Sequence, residues 1–109
     1  PRVFWFPHFL TDEECEALKR LGAPRLRPSG LTGNQRRTSV RSSGVHALDM
    51  HEMQMPVAAA LQARIATETK LPIELFETIE VQQYRSADAG GGEGGDKYQP
   101  HYDSTSGRQ

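Results

Sequence analysis

The sequence has little cysteine, no marked excess of either charge and no long apolar run. Its 109 residues include one cysteine, Cys15, which excludes an internal disulfide and a cysteine-rich zinc site. The 13 lysine and arginine residues nearly balance the 14 aspartate and glutamate residues, so the molecule as a whole has no strong electrostatic attraction to nucleic acid or an anionic membrane. No apolar stretch approaches the roughly 20 residues that cross a bilayer.

The length of the chain limits it to one modest domain. Because the first residue is Pro1 rather than methionine, we expect an excised part of a longer protein.

Two helices are predicted from start and stop signals. The first begins at a capping box formed by Thr11 and Glu14 and ends at Gly22. The second begins near Pro56 and ends before Leu71. Their buried stripes are expected to be Cys15, Leu18 and Leu21 in the first helix, and Val57, Leu61 and Ile65 in the second.

Three strands are predicted from apolar runs and alternation. Residues 3–6 form a β-branched and aromatic run, which favours a short buried strand. Residues 78–84 alternate, with Ile79 and Val81 on one face and polar side chains on the other. The segment at residues 98–109, which carries His101 and Asp103, is expected to form a strand after a glycine-rich loop. A polar second face on the middle strand indicates a sheet with helices behind it and a polar pocket before it.

The glycine-rich loop, residues 87–96, raises the possibility of a phosphate site. A phosphate-binding loop needs a lysine followed by Ser or Thr at the start of a helix. Here Asp96 precedes Lys97, and a strand is expected to follow. The sequence therefore favours a flexible hairpin loop.

An arginine-rich stretch is the one regional charge bias. Residues 26–43 are predicted to be loop and weak strand, and no acidic residue interrupts the arginines. A solvated loop, or one lining a pocket for an anionic substrate, is favoured over a nucleic-acid contact because interleaved aromatics are lacking. The arginines are Arg25, Arg27, Arg36, Arg37 and Arg41.

Two further reactive side chains have simple structural explanations. His51 and Glu52 resemble the start of a zinc-protease helix motif, but Met55 stands where the second histidine is needed. His51 is therefore interpreted as a loop or helix-entry residue. Cys15 lies on an apolar helix stripe, which favours a small core residue over a reactive thiol.

His101 and Asp103 form the pair with the most specific chemistry. Side chains two apart on a strand point to the same face, so an imidazole nitrogen and a carboxylate oxygen could converge on one ion. Two histidines and a carboxylate hold Fe(II) with three positions open. An isolated His-x-Asp is otherwise often a structural or incidental feature.

The order of four segments resembles the prolyl 4-hydroxylase family of Fe(II)- and 2-oxoglutarate-dependent dioxygenases. FLTDEECEAL is similar to the family's N-terminal helix entry, and VRSSG at residues 40–44 is similar to its V-R-T-S-S-G segment. ARIATETKLPIELFETIEVQQY at residues 63–84 resembles its helix, L-P turn and strand. KYQPHYD at residues 97–103 matches its K-Y-x-P-H-x-D segment closely.

This resemblance implies a double-stranded β-helix, or jelly roll, backed by helices and incomplete in this chain, which would be the N-terminal part of one dioxygenase domain at residues 1–109. It implies that His101 and Asp103 bind iron and that Tyr84 donates a hydroxyl hydrogen to 2-oxoglutarate. Positions that line the peptide groove or support the metal shell match Arg41, Ser43, Glu77 and Tyr98.

The implied reaction is hydroxylation of C4 of a peptidyl proline, with Fe(II), 2-oxoglutarate and ascorbate as cofactors and a proline-containing peptide or protein as substrate. No nucleic-acid partner is expected. Because the second iron-binding histidine and the basic partner of 2-oxoglutarate should lie downstream of Asp103, the isolated chain is expected to bind iron weakly and to be inactive. The alternative is a non-catalytic module that binds proline-rich chains, with a vestigial metal site. The loop at residues 87–96 is longer than usual for the family, which affects the expected substrate preference.

Overall fold

Residues 1–29 and 42–103, which the computed structural model describes, form an α+β arrangement of short elements. The helices are α1 (Asp12–Gly22), α2 (Met50–Met53) and α3 (Pro56–Thr69), and the strands are β1 (Arg27–Pro28), β2 (Gly44–Ala47) and β3 (Glu80–Gln83). Single 3-10 turns occupy Ala23–Arg25, Ile73–Leu75 and Ala87–Ala89.

The first predicted helix, α1, is confirmed at both ends. The Glu14 amide donates to Thr11 Oγ1 at 3.1 Å, and the Thr11 amide donates to Glu14 Oε1 at 2.9 Å, which completes the capping box. Gly22 is buried and is the last residue of the helix. The predicted stripe is half-buried rather than fully buried: Cys15, Leu18 and Leu21.

The second predicted helix is also confirmed, as α3. Pro56 is its first residue, where its missing N–H costs nothing. Lys70 ends it in the left-handed conformation, with φ of 58°. Ala58 and Leu61 are buried, and Val57 and Ile65 are half-buried.

The one-turn helix α2 was not predicted, although its signal is in the sequence. Asp49 and Glu52 form a second capping box, in which each side chain accepts from the other's backbone amide, at 2.7 and 3.0 Å. His51 lies on α2 and is exposed, as expected of a helix-entry histidine.

The strands form one small sheet in the order β1-β2-β3, and β1 runs antiparallel to β2. The strand predicted at residues 78–84 is present but shorter, as β3. Ile79 and Val81 are half-buried while Thr78, Glu80 and Gln82 are exposed, so the predicted alternation is correct. The predicted combination of a sheet with helices is confirmed as an α+β arrangement.

Two predicted strands are absent among the described residues. Residues 3–6 have no strand pairing, and Val3 and Trp5 are 89% and 85% exposed. Residues 98–103 contain an isolated bridge at Tyr98 and no strand. A β-branched or aromatic run becomes a strand only where a second strand pairs with it, and Pro100 removes a ladder donor from the second segment.

The chain divides into two compact units. One comprises residues 1–26 and 46–81; it contains the three helices and the buried apolar residues Leu48, Ala58 and Leu61. The described residues of the other are 27–29, 42–45 and 82–103, and among these the buried ones are polar or glycine, including Ser29 and Ser43. None of the helices in the described part of the chain is long and apolar enough to span a bilayer.

Candidate functional site

The imidazole of His101 and the carboxylate of Asp103 contact each other. Nε2 of His101 lies 3.0 Å from Oδ1 of Asp103. Convergence was predicted from the same-face rule of a strand, but it arises in irregular backbone. The Asp103 side chain is 97% exposed, so solvent reaches the pair freely.

The neighbouring residues fix the orientation of the His101 ring. Its Nδ1 is 2.8 Å from the Gln99 carbonyl oxygen, which can only accept, so Nδ1 carries a proton. The Tyr98 ring stacks on the imidazole with 3.5 Å between centroids and 10° between planes. In the neutral imidazole Nε2 therefore presents its lone pair, and a backbone carbonyl on the other nitrogen is a common arrangement for metal-binding histidines.

The donor atoms of this pair suit one small divalent cation. A neutral Nε2 and an ionised carboxylate both present lone pairs, and these repel unless a proton or cation lies with them. Two neighbouring ligands of an octahedral ion at about 2.1 Å lie about 3 Å apart, close to the 3.0 Å found here. Within residues 1–29 and 42–103 no cluster of three His, Cys, Asp or Glu side chains could hold a metal.

Three other predicted site residues lie in the same compact unit. Tyr84 follows β3, is 47% exposed, and donates its hydroxyl hydrogen to Gln82 Oε1 at 3.3 Å. Ser43 is fully buried, and its hydroxyl donates to Ser29 Oγ at 2.9 Å. Tyr98 is the one whose ring touches that of His101.

Glu77 belongs to the other unit, where it lines an open cavity of about 640 Å³. Leu48, Met53 and Phe76 give this cavity an apolar wall, and Asp49 adds a second carboxylate. Arg41 was predicted to be a substrate-binding residue, and it lies outside the described residues, as do Arg36 and Arg37.

The glycine-rich loop is an ordered turn rather than an open phosphate cradle. Gly90, Gly92, Gly94 and Gly95 have positive φ. The amides of Gly90, Gly91 and Gly95 donate to the carbonyls of Ala87, Ser86 and Gly92, at 3.2, 2.9 and 3.0 Å. These amides are engaged in the turn, which supports the sequence argument against a phosphate site.

Two buried carboxylates were missed at the sequence level. Asp96, with a side chain 1% exposed, pairs with Arg85 at 3.0 Å; opposite charges at the two ends of a glycine loop were the available signal. Glu52, with a side chain 3% exposed, accepts from His46 Nε2 at 3.0 Å and lies 3.3 Å from Arg25. The hydrogen bond from the Asp49 backbone, followed by that from His46, lowers the pKa of Glu52.

Comparison with known proteins places the chain among the prolyl 4-hydroxylases. It is 32% identical over 106 residues to prolyl 4-hydroxylase 13 of Arabidopsis thaliana, covering 95% of this chain and 36% of that protein. It is 35% identical over 107 residues to prolyl 4-hydroxylase 1, covering 94% and 35%, and 31% identical over 105 residues to probable prolyl 4-hydroxylase 7, covering 94% and 31%, both of the same plant. No family model matches the chain.

The chain therefore belongs to the prolyl 4-hydroxylase family, as its motifs indicated. It spans about a third of the length of these curated relatives.

Proposed function

We propose that the chain forms part of an Fe(II)- and 2-oxoglutarate-dependent dioxygenase domain that hydroxylates C4 of proline in a peptide or protein. The main support is the convergence of His101 and Asp103 at 3.0 Å, at the position where the resemblance to the family puts iron ligands. The relatives' names, prolyl 4-hydroxylases, support the choice of substrate. In this proposal the small sheet belongs to a jelly roll, and residues 1–109 belong to a single domain.

The candidate site residues of the second compact unit have proposed roles. His101 Nε2 and Asp103 Oδ1 are the metal donors, and the Gln99 carbonyl keeps the imidazole in the tautomer that binds a metal. The Tyr98 ring restricts rotation of the imidazole by stacking on it. Tyr84 would donate its hydroxyl hydrogen to bound 2-oxoglutarate, and this hydrogen bond would replace the long one that it makes to Gln82 Oε1.

The cofactors supply the oxidising chemistry when bound: iron and 2-oxoglutarate activate O₂ with release of succinate and carbon dioxide, and ascorbate keeps the iron reduced. The substrate side is assigned to Arg41, Ser43, Glu77 and Tyr98. Ser43 is fully buried, which favours a supporting role. Glu77 lines a cavity whose volume is typical of ligand pockets.

The isolated chain is expected to bind a divalent ion weakly, because the described part of it supplies a pair of donors rather than a triad. We expect it to produce no succinate from 2-oxoglutarate. Succinate formation by the 109-residue chain that depends on added Fe(II) would contradict this expectation.

A metal titration tests the site directly. Mn(II), a redox-stable substitute for Fe(II), is added to the chain, and free ion is measured by electron paramagnetic resonance. We expect His101→Ala and Asp103→Ala each to weaken binding by at least about tenfold. His51→Ala, which removes an exposed histidine on α2, is the matched control and should bind like wild type.

Equal affinity in His101→Ala and wild type would overturn the metal assignment. If wild type bound no Mn(II) but did bind a proline-rich peptide, the non-catalytic peptide-binding module would replace the enzyme as the favoured function.

A further inference from the structure

The glycine-rich loop closes on itself just before the residues that carry the metal donors. The Asp96 amide donates to the Arg85 carbonyl at 2.7 Å. In return, the Arg85 amide and Nε both donate to Asp96 Oδ2 at 3.0 Å. Because the Asp96 side chain is only 1% exposed, these charge-assisted bonds are shielded from water and strengthened.

The backbone of the loop packs closely against the backbone of Arg85 and Asp96 at Gly91. A Cβ atom on Gly91 would lie 2.2 Å from the Arg85 carbonyl oxygen and 2.6 Å from the Asp96 nitrogen. Only glycine fits at such a distance from backbone atoms. An added Cβ on Gly92 would meet nothing within 4 Å, so the tight fit is specific to the base of the loop.

A chain of further contacts leads from the closure to His101. The Lys97 amide donates to Ser42 Oγ, and the Ser42 amide donates to the Lys97 carbonyl, both at 2.9 Å. The next two residues, Tyr98 and Gln99, hold the imidazole by stacking and by the bond to Nδ1. The position of the His101 ring therefore depends on where the chain leaves Asp96.

We propose that Arg85 and Asp96 are positioning residues that fix the orientation of the His101 imidazole for metal binding; this inference rests on the proposed function. A buried charge is costly unless it is fully paired, and the Asp96 carboxylate is paired with Arg85 at the base of the loop. By fixing the two ends of the loop, the Arg85–Asp96 pair sets the position at which the chain continues toward His101. The pair would therefore act through Lys97 and Tyr98, and neither Arg85 nor Asp96 is proposed as a metal ligand.

The first test uses the metal-free chain. Proton NMR should place the His101 ring signals upfield, because the Tyr98 ring stacks on them at 3.5 Å. We expect Asp96→Ala to remove this upfield shift while leaving the His51 signals unchanged. Asp96→Asn keeps an acceptor for the Arg85 amide and Nε, and should retain most of the shift. Urea unfolding of each variant identifies any that fail to fold. If Asp96→Ala fails to fold, Arg85→Lys is the milder substitution, because it keeps the positive charge and the hydrogen bond from the backbone amide of residue 85 to Asp96.

The second test is Mn(II) affinity, measured as for the ligand variants. Asp96→Ala should weaken binding by about 10- to 100-fold, the usual effect of losing a group that orients a ligand. Asp96→Asn should restore most of it, and Arg85→Lys should lie between.

Unchanged His101 signals together with unchanged affinity in folded Asp96→Ala or Arg85→Lys would overturn the positioning role. If wild type and His101→Ala bound Mn(II) equally, the proposed function would fail, whereas the NMR comparison would still decide the effect of the pair on His101.

Discussion

At the scale of single residues, Glu14 joins two parts of the fold with one carboxylate. Its oxygens accept from Arg64 at 2.8 Å each, and Oε1 also accepts from the Thr11 amide at the start of α1. The capping role was readable from the sequence, because it is local. The ion pair was not, because Arg64 is distant in sequence and only the fold brings it near.

The Glu14 ion pair predicts a pH dependence of stability. The hydrogen bonds from Arg64, followed by that from the Thr11 backbone, lower the pKa of Glu14 from 4.5 to about 2. A pKa lowered by folding means that the stabilisation is complete above pH 4.5 and is lost as the pH falls toward 2. We expect Glu14→Gln, which keeps a capping side chain, to lower the free energy of unfolding at neutral pH, with the deficit shrinking across this interval.

Urea unfolding from pH 7 to pH 2 measures this difference. Glu13→Gln, in the same first turn of α1 and exposed, should produce a much smaller change. A deficit for Glu14→Gln that stayed constant down to pH 2 would show that the ion pair is not its cause.

At the scale of elements, the two longer helices, α1 and α3, were predicted correctly and most of the strands were not. Thr11, Gly22 and Pro56 mark helix ends with chemistry that lies within a few residues. The run at residues 3–6 and the segment around His101 have strand-like composition, but a strand exists only through a partner elsewhere in the chain. The contact between His101 and Asp103 was predicted nevertheless, because the two residues are close in sequence whatever the backbone does.

Gly22, at the end of α1, predicts the sharpest packing effect between elements. A Cβ atom at this position would lie 2.5 Å from Cγ1 and 2.7 Å from Cβ of Val81. Although alanine is the better helix former, we expect Gly22→Ala to destabilise the fold by about 1–3 kcal/mol through overpacking. Denaturant unfolding gives the value.

The double variant Gly22→Ala/Val81→Ala is the control, since it removes the side chain that the new methyl meets. Its loss of stability should be smaller than the sum of the two single losses. Strict additivity would mean that Val81 is not the obstacle.

At the scale of the whole molecule, the apolar core is small and lies among the helices. The apolar side chains buried in the described part of the chain are Leu48, Ala58 and Leu61, all in one compact unit. Large side chains at residues 3–5 are 72–89% exposed and add little to this core. The family resemblance was recognisable because it depends on the order of short motifs along the chain, whereas burial depends on contacts that composition does not specify.

This exposure predicts that the first five residues contribute little to stability. Removing residues 1–5 leaves Phe6 packed on Phe9, with 5.9 Å between ring centroids, and should change the free energy of unfolding by less than about 0.5 kcal/mol. Removing residues 1–9 is the matched control. It also deletes the Phe9 carbonyl that accepts from Arg64 at 2.7 Å, and should be clearly destabilising. A loss after removal of residues 1–5 as large as the clear loss expected for removal of residues 1–9 would contradict the small contribution predicted for residues 1–5.

The hydrogen bond between the Arg85 carbonyl and the Asp96 amide also means that the length of the loop can change without moving the residues at its base. The Arg85 carbonyl oxygen, before the loop, and the Asp96 nitrogen, after it, are only 2.7 Å apart. The residues between them are therefore not needed to connect the two flanking segments. Gly92 and Gly94 at its tip face open space, and doubling a flexible loop costs only about 0.6 kcal/mol in closure entropy. The tip is therefore a natural place for sequence to be gained or lost over evolutionary time, and a practical one for grafting a reporter peptide.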